Sequence, residues 1–309
     1  MPTQTSLTQD NVLQGILVIL STVAILSLGD AIIKLFSSDV SLWQIFAVRS
    51  LFALPCLVVL AVLARRSLWP RATAWVTLRA ALLIIGWIAY YSALPWLEFS
   101  TAAVAVYTNP IFTTLITALV LKERVTLIQG LGVCIGFVGV AVVLRPGGTE
   151  FTWALLLPLL GALLYSLAMI LTRTKCQNED FVSLAFFLHL AFFLSGVLGL
   201  GVLCIVTLDP DIARINPFLL VGWSPMDQTQ WAVMVFLGLI GAGFTLGVAR
   251  AYQIAPPHIV GTFDYGYVGF ALVWGFLFFA EIPDLQGVLG MCLVVSAGLM
   301  VALGAKPAQ

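Results

Sequence analysis

Ten long apolar runs, parted by short polar or Pro/Gly turns, leave this chain few ways to fold. They span about 13–36, 41–64, 74–94, 100–121, 125–144, 152–172, 181–207, 229–252, 258–280 and 285–304. A membrane-crossing helix uses about 20 residues. Inside the hydrocarbon layer every backbone N–H and C=O needs a partner within the protein, so only helices and closed barrels cross. Barrel strands are about 10 residues long and alternate in polarity; these runs are longer and apolar throughout. The expected fold is an all-α polytopic membrane protein with ten transmembrane helices.

Composition agrees. Of 309 residues, 61% are hydrophobic and 9% charged, against about 25% charged in soluble domains. This excludes a soluble enzyme, a nucleic-acid binder and a disordered chain. The expected partners are the lipid bilayer and a small-molecule substrate, with no nucleic acid; a homodimer stays open. The first run is too long for a signal peptide and reads as a retained span. The five cysteines show no metal-ligand spacing and read as apolar packing. Neither a cofactor nor a metal is called for.

Lys and Arg set the orientation. With the N-terminus inside, nine fall on inner turns or the C-terminus: Arg65, Arg66, Arg71, Lys122, Arg124, Arg173, Lys175, Arg250 and Lys306. Only Arg145 and Arg214 fall on outer turns. Both termini are expected in the cytoplasm, with the chain in the inner membrane. The longest turn, 208–228, reads as an interfacial segment carrying Trp223.

A shift of 158 residues overlays spans four and five on spans nine and ten. Tyr107 meets Tyr265, Phe112 meets Phe270, Glu123 meets Glu281, Gly132 meets Gly290 and Cys134 meets Cys292. A five-span unit has an odd count, so its second copy inserts upside down. The halves are then 1–146 and 147–309, two inverted five-helix repeats with a substrate near the midplane between them. That is a design of secondary transporters working by alternating access.

Ionisable groups in lipid are costly without a partner or cavity, so they point to sites. Asp30 and Lys34 lie one helical turn apart and can pair; Lys34 can instead contact substrate. Arg49 is expected to pair with Asp30 or Asp39, or to face a water-filled cavity. Arg79 and Arg250 read as inner-interface anchors. Asp264, amid Phe263, Tyr265 and Tyr267, reads as lining the substrate path or carrying a coupling proton. Its counterpart segment offers Tyr107, Thr108 and Asn109, and Pro110 frees a backbone carbonyl mid-span. Trp87 and Tyr91 share a helix face, with Tyr90 beside them and Tyr165 on span six. His189 reads as packing and His258 as interfacial. The candidate substrate-binding set is Lys34, Arg49, Trp87, Tyr90, Tyr91, Tyr107, Asn109, Tyr165, Asp264 and Tyr265. No catalytic motif is present. A multi-span membrane enzyme and a non-transporting sensor are the rival classes.

The stretches RSLFALP at 49–55, STAAVAVYTNPIFTTLITALVLKERVTLIQGLGVCIGFVGVAVVLRPG at 100–147 and FDYGYVGFALVWGFLFFAEIPDLQGVLGMCLVVSAGLMV at 263–301 resemble the EamA-type branch of the drug/metabolite transporter superfamily. The resemblance implies ten helices in two inverted repeats, termini inside, and a cavity lined by spans one, three, four, six, eight and nine. It implies transport of amino acids, nucleotide-like metabolites, vitamins or related solutes. Asp30 to Lys34, Arg49 and Phe263 to Tyr265 are similar to a subgroup of S-adenosylmethionine or riboflavin carriers.

Overall fold

The structure, a computed structural model, describes residues 9–120, 126–144, 152–206, 208–254 and 263–304. Every regular element among them is helical. The order is α1 (Gln9–Leu35), α2 (Leu42–Leu63), α3 (Thr73–Ala93), α4 (Phe99–Val106), α5 (Asn109–Val120), α6 (Leu127–Leu144), a 3-10 turn (Trp153–Leu155), α7 (Leu156–Lys175), α8 (Phe181–Ile205), α9 (Pro210–Ile215), α10 (Pro217–Leu220), α11 (Gln228–Ile254), α12 (Gly266–Phe279) and α13 (Leu285–Gly304). Among the described residues, seven segments are long and apolar enough to cross a bilayer. Three shorter apolar helices join them: Leu127–Val143, Gly266–Phe279 and Leu285–Val301. The chain is a polytopic helical membrane protein. Large apolar side chains such as Leu63, Leu198, Ile205 and Leu277 stand exposed on its outside. In water such exposure would be a liability, whereas lipid is its natural solvent.

The fourth apolar run divides into α4 and α5. Proline at 110 supplies no N–H for the carbonyl four residues back. The helix gives way at Tyr107–Thr108, where the Thr108 amide (3.3 Å) and Oγ1 (2.7 Å) both bond the Ala105 carbonyl. The ninth run behaves alike: a turn at Tyr265 precedes α12, and its first part, with His258, lies outside the described residues. At its far end α12 stops on Ala280 in the left-handed region (φ 53°). The Glu281 amide then bonds the Gly275 carbonyl (3.2 Å), which sets Glu281 immediately beyond the helix.

Helix pairing follows the glycines. α3 meets α7 where Gly86 faces Gly161; a Cβ on Gly161 would lie 3.0 Å from the Gly86 carbonyl. α6 meets α13 through Gly132, whose Cβ would lie 2.9 Å from the Ala297 carbonyl, and through Gly290, whose Cβ would lie 3.1 Å from that of Gly139. Small residues let helix backbones approach closely where lipid supplies no hydrophobic drive. α2 packs on α8 and α11, α1 on α11 and α12, α3 also on α8, α4 on α12, and α5 on α7.

The segment 208–228 forms short α9 and α10, with Trp223 exposed. It is tied to the start of α2. Gln44, fully buried, donates to the Ser224 carbonyl (2.8 Å) and accepts from the Ser224 amide (3.0 Å). Trp43 Nε1 donates to the Leu219 carbonyl (2.8 Å).

Candidate functional site

Asp30, on α1, is 2% exposed. A carboxylate held so deep needs donors, and two tyrosines provide them. Tyr91 of α3 donates to one carboxylate oxygen (2.7 Å) and Tyr267 of α12 to the other (2.6 Å). The hydroxyls of Tyr90 and Tyr267 are 3.1 Å apart. One acidic side chain thereby ties three helices, and the rings around it are buried. Trp87 stacks on Tyr91 with ring centroids 5.1 Å apart.

Arg49 enters from α2. Its guanidinium lies over the rings of Phe192 (4.3 Å), Phe46 (5.0 Å) and Tyr91 (5.6 Å), as cation–π attraction favours. Among the described residues its one hydrogen bond is long, 3.5 Å to the Tyr91 hydroxyl. That hydroxyl therefore stands between Arg49 and Asp30, and the expected direct pair is replaced by a relay. His189 of α8 is 4% exposed. Among the described residues neither of its ring nitrogens, nor Arg49 Nε, makes a hydrogen bond of good geometry, though all three atoms are buried; the Gly241 backbone lies beside the imidazole.

A cavity of about 60 Å³ opens beside these groups, lined among others by Asp30, Arg49, Trp87, Tyr91, His189 and Phe192. It lies where α1, α2, α3, α8 and α11 meet. Three residues of the candidate set, Arg49, Trp87 and Tyr91, line it. Lys34, Tyr90, Tyr107, Asn109, Tyr165, Asp264 and Tyr265 do not.

Lys34 does not pair with Asp30. It donates to Glu281 (2.5 Å) and to the Leu97 carbonyl (2.6 Å), beside the ring of Phe279. Glu281 also accepts the Phe99 amide (2.9 and 2.7 Å) and the Ser100 amide (3.4 Å). It serves as a cap for α4, where the unsatisfied N–H groups and helix dipole favour an anion. Asp30 and Lys34 share one helix, yet each finds better-placed partners on its neighbours.

A second aromatic group surrounds the turn residues. Tyr107 stacks on Tyr267 (4.7 Å) and meets Tyr265 edge-on (5.8 Å). The Tyr265 hydroxyl is buried without a partner. Asp264 lies within electrostatic reach of Tyr107, Tyr165 and Tyr265. The Asn109 carbonyl accepts from Ser166 of α7 (2.7 Å). Arg79 donates to Thr172 (2.7 Å), tying α3 to α7. Sequence reasoning left Asp30, His189 and Glu281 out of the candidate set. Asp30 showed as half of an i,i+4 pair and Glu281 as a repeat marker. A lone histidine on an apolar helix carries no local signal at all.

Residues 13–145 match the EamA-like transporter family. The riboflavin transporter of Vibrio cholerae is 25% identical over 84% of this chain and 80% of its own length. That of Rhizobium johnstonii is 28% identical over 86% of this chain and 80% of its own length. The S-adenosylmethionine uptake transporter of Rickettsia prowazekii is 21% identical over 74% of this chain and 71% of its own length. Family and relatives alike are transporters by name, not enzymes. A solved crystal structure, described only as that of a protein, shares the fold, with a TM-score of 0.63 and 17% identity over 94% of this chain and 97% of its own.

Proposed function

We propose that the chain, whose residues 13–145 match the EamA-like transporter family, is a secondary transporter or facilitator moving a small polar or zwitterionic metabolite across the inner membrane. One observation carries the reading. A buried acid and a half-buried base, bridged by Tyr91, open on a cavity at the meeting of five helices. Structural helices have no use for such a cavity, whereas a solute path requires one.

Ten spans in two inverted repeats, 1–146 and 147–309, supply the moving parts. Helix pairing supports this arrangement. Exchange α1 with α7, α2 with α8, α3 with α11, α4 and α5 with α12, and α6 with α13. The pair α1–α11 becomes α7–α3, α1–α12 becomes α7–α5, and α2–α11 becomes α8–α3; all are present. The pairs α2–α8, α4–α12 and α6–α13 map onto themselves. Tyr107 and Tyr265, 158 residues apart, both sit at turns and touch each other. Rocking one repeat against the other would expose the cavity to each side in turn. The excess of inner Lys and Arg supports cytoplasmic termini.

In this reading Arg49, Trp87, Tyr90 and Tyr91 contact the solute in one half of the path. Tyr107, Asn109, Tyr165 and Tyr265 line the other half, and Asp264 carries a coupling proton. Lys34, held by Glu281 in this state, meets the solute when that side opens. The relatives' names make riboflavin and S-adenosylmethionine the first solutes to try. The test is uptake into proteoliposomes. Wild-type protein is expected to accumulate or exchange at least one of a metabolite panel headed by these two. Trp87→Ala and Asp264→Asn are each expected to lower flux tenfold or more while the protein still inserts. A wild-type protein that moves no member of the panel refutes the reading.

A further inference from the structure

The Asp30–Arg49 pair is lopsided. Both Asp30 oxygens already accept a tyrosine hydroxyl. Arg49 has one long hydrogen bond, and its Nε–H points to nothing within reach. A half-buried guanidinium whose buried Nε–H lacks a partner leaves a donor unsatisfied, a cost normally avoided. His189 repeats the pattern in part: both ring nitrogens are buried and, among the described residues, neither makes a hydrogen bond of good geometry, the Gly241 backbone being the polar group beside them. The two residues are neighbours. Arg49 lies 4.3 Å from the Phe192 ring centroid, the His189 ring 6.1 Å from it, and both residues line the same cavity. Neutral imidazole has one donor and one acceptor, and guanidinium has donors only.

We propose that the Arg49–His189 corner is a subsite for the carboxylate of the transported solute. The inference rests on the transporter reading and names the chemistry of its ligand. A carboxylate has two oxygens, so it can accept from Arg49 Nε–H and from the His189 N–H together. It also offers Arg49 a directly bonded anion, since the Asp30 oxygens are taken up by Tyr91 and Tyr267. An uncharged carbonyl offers the acceptor without the charge, and charge-assisted bonds are the stronger class. Size points the same way. A space of about 60 Å³ admits a group of a few heavy atoms, where whole drug-sized ligands take roughly 300–1,000 Å³. The corner receives the head of the solute and leaves its body to the wider path. With Asp30 and Arg49 balancing each other and His189 neutral, the bound anion gives the corner a net negative charge. A cationic group on the same solute, near Asp30, would restore neutrality, which fits a zwitterion.

The test is calorimetric titration of the purified full chain with sodium benzoate and with benzamide, which differ at the head group alone. Benzoate is expected to bind saturably and at least tenfold more tightly than benzamide. His189→Leu should weaken benzoate about fivefold or more and leave benzamide unchanged, while His189→Gln, which keeps a donor, should recover most of the affinity. Arg49→Gln should erase the preference for benzoate. If that variant does not fold, Arg49→Lys serves, with a reduced preference expected. Equal binding of the two probes, no benzoate binding, or benzoate affinity untouched by His189→Leu each overturns the subsite. Proteoliposome flux by the wild type separates the two ideas: a protein that moves solutes but fails these titrations keeps its transporter function and loses the subsite.

Discussion

Tyr91 carries more of the polar core than any neighbour. Its hydroxyl donates to Asp30 and accepts from Arg49, whereas the Tyr90 hydroxyl meets only that of Tyr267. Tyr91→Phe takes one of two donors from the acid and the hydroxyl acceptor from the base; Tyr90→Phe breaks one contact between neutral groups. Hydrogen bonds inside membrane proteins are worth about 0.6 kcal/mol on average, up to about 1.7, and those to charged groups lie at the upper end of the range. Tyr91→Phe is therefore expected to cost about 1–2 kcal/mol and Tyr90→Phe well under 1 kcal/mol, read as thermal or denaturant unfolding in detergent. Equal losses would deny Tyr91 its bridging role. At this scale the sequence told part of the story. That charges inside spans gather beside a cavity was legible, and Arg49, Trp87 and Tyr91 do line it. Partner choice was not legible. The i,i+4 spacing of Asp30 and Lys34 allowed a pair, but helix neighbours supplied tyrosines to one and Glu281 to the other.

Helices show the same division. The apolar runs marked the helices well, and the proline at 110 marked the break that divides the fourth run. Two G-x-x-x-G motifs, Gly132–Gly136 and Gly243–Gly247, looked alike in sequence, since neither shows which helix face meets a partner. In the structure Gly132 presses on α13, while a Cβ on Gly243 would meet nothing within 4 Å. Gly132→Leu is thus expected to destabilise by about 1–3 kcal/mol through overpacking. Gly243→Ala should be neutral or stabilising by up to about 1 kcal/mol, because alanine is the better helix former. Unfolding midpoints of the two variants decide the matter; Gly247, one turn on, does press on Thr22 of α1, so a destabilised Gly243→Ala would mean that the contact extends to a position the structure leaves open. Nor could the tether of 208–228 be read from sequence. Its hold on Gln44 and Trp43 joins residues about 180 positions apart.

At the scale of the whole molecule, one side of the path is fastened by Glu281. The carboxylate belongs to the turn after α12, its ammonium partner to α1, and the two amides it accepts to α4. Glu123, which the 158-residue shift pairs with Glu281, lies outside the described residues. Lys34→Met and Glu281→Gln are expected to be non-additive, the double variant unfolding at nearly the same point as Glu281→Gln alone. Additive losses in a double-mutant cycle would show that the two side chains act separately. A single acid shared by three bodies works as a common knot rather than as three stitches. Withdrawing the turn that carries it frees α1 and α4 together, so this face should part at the turn after α12 in a single event.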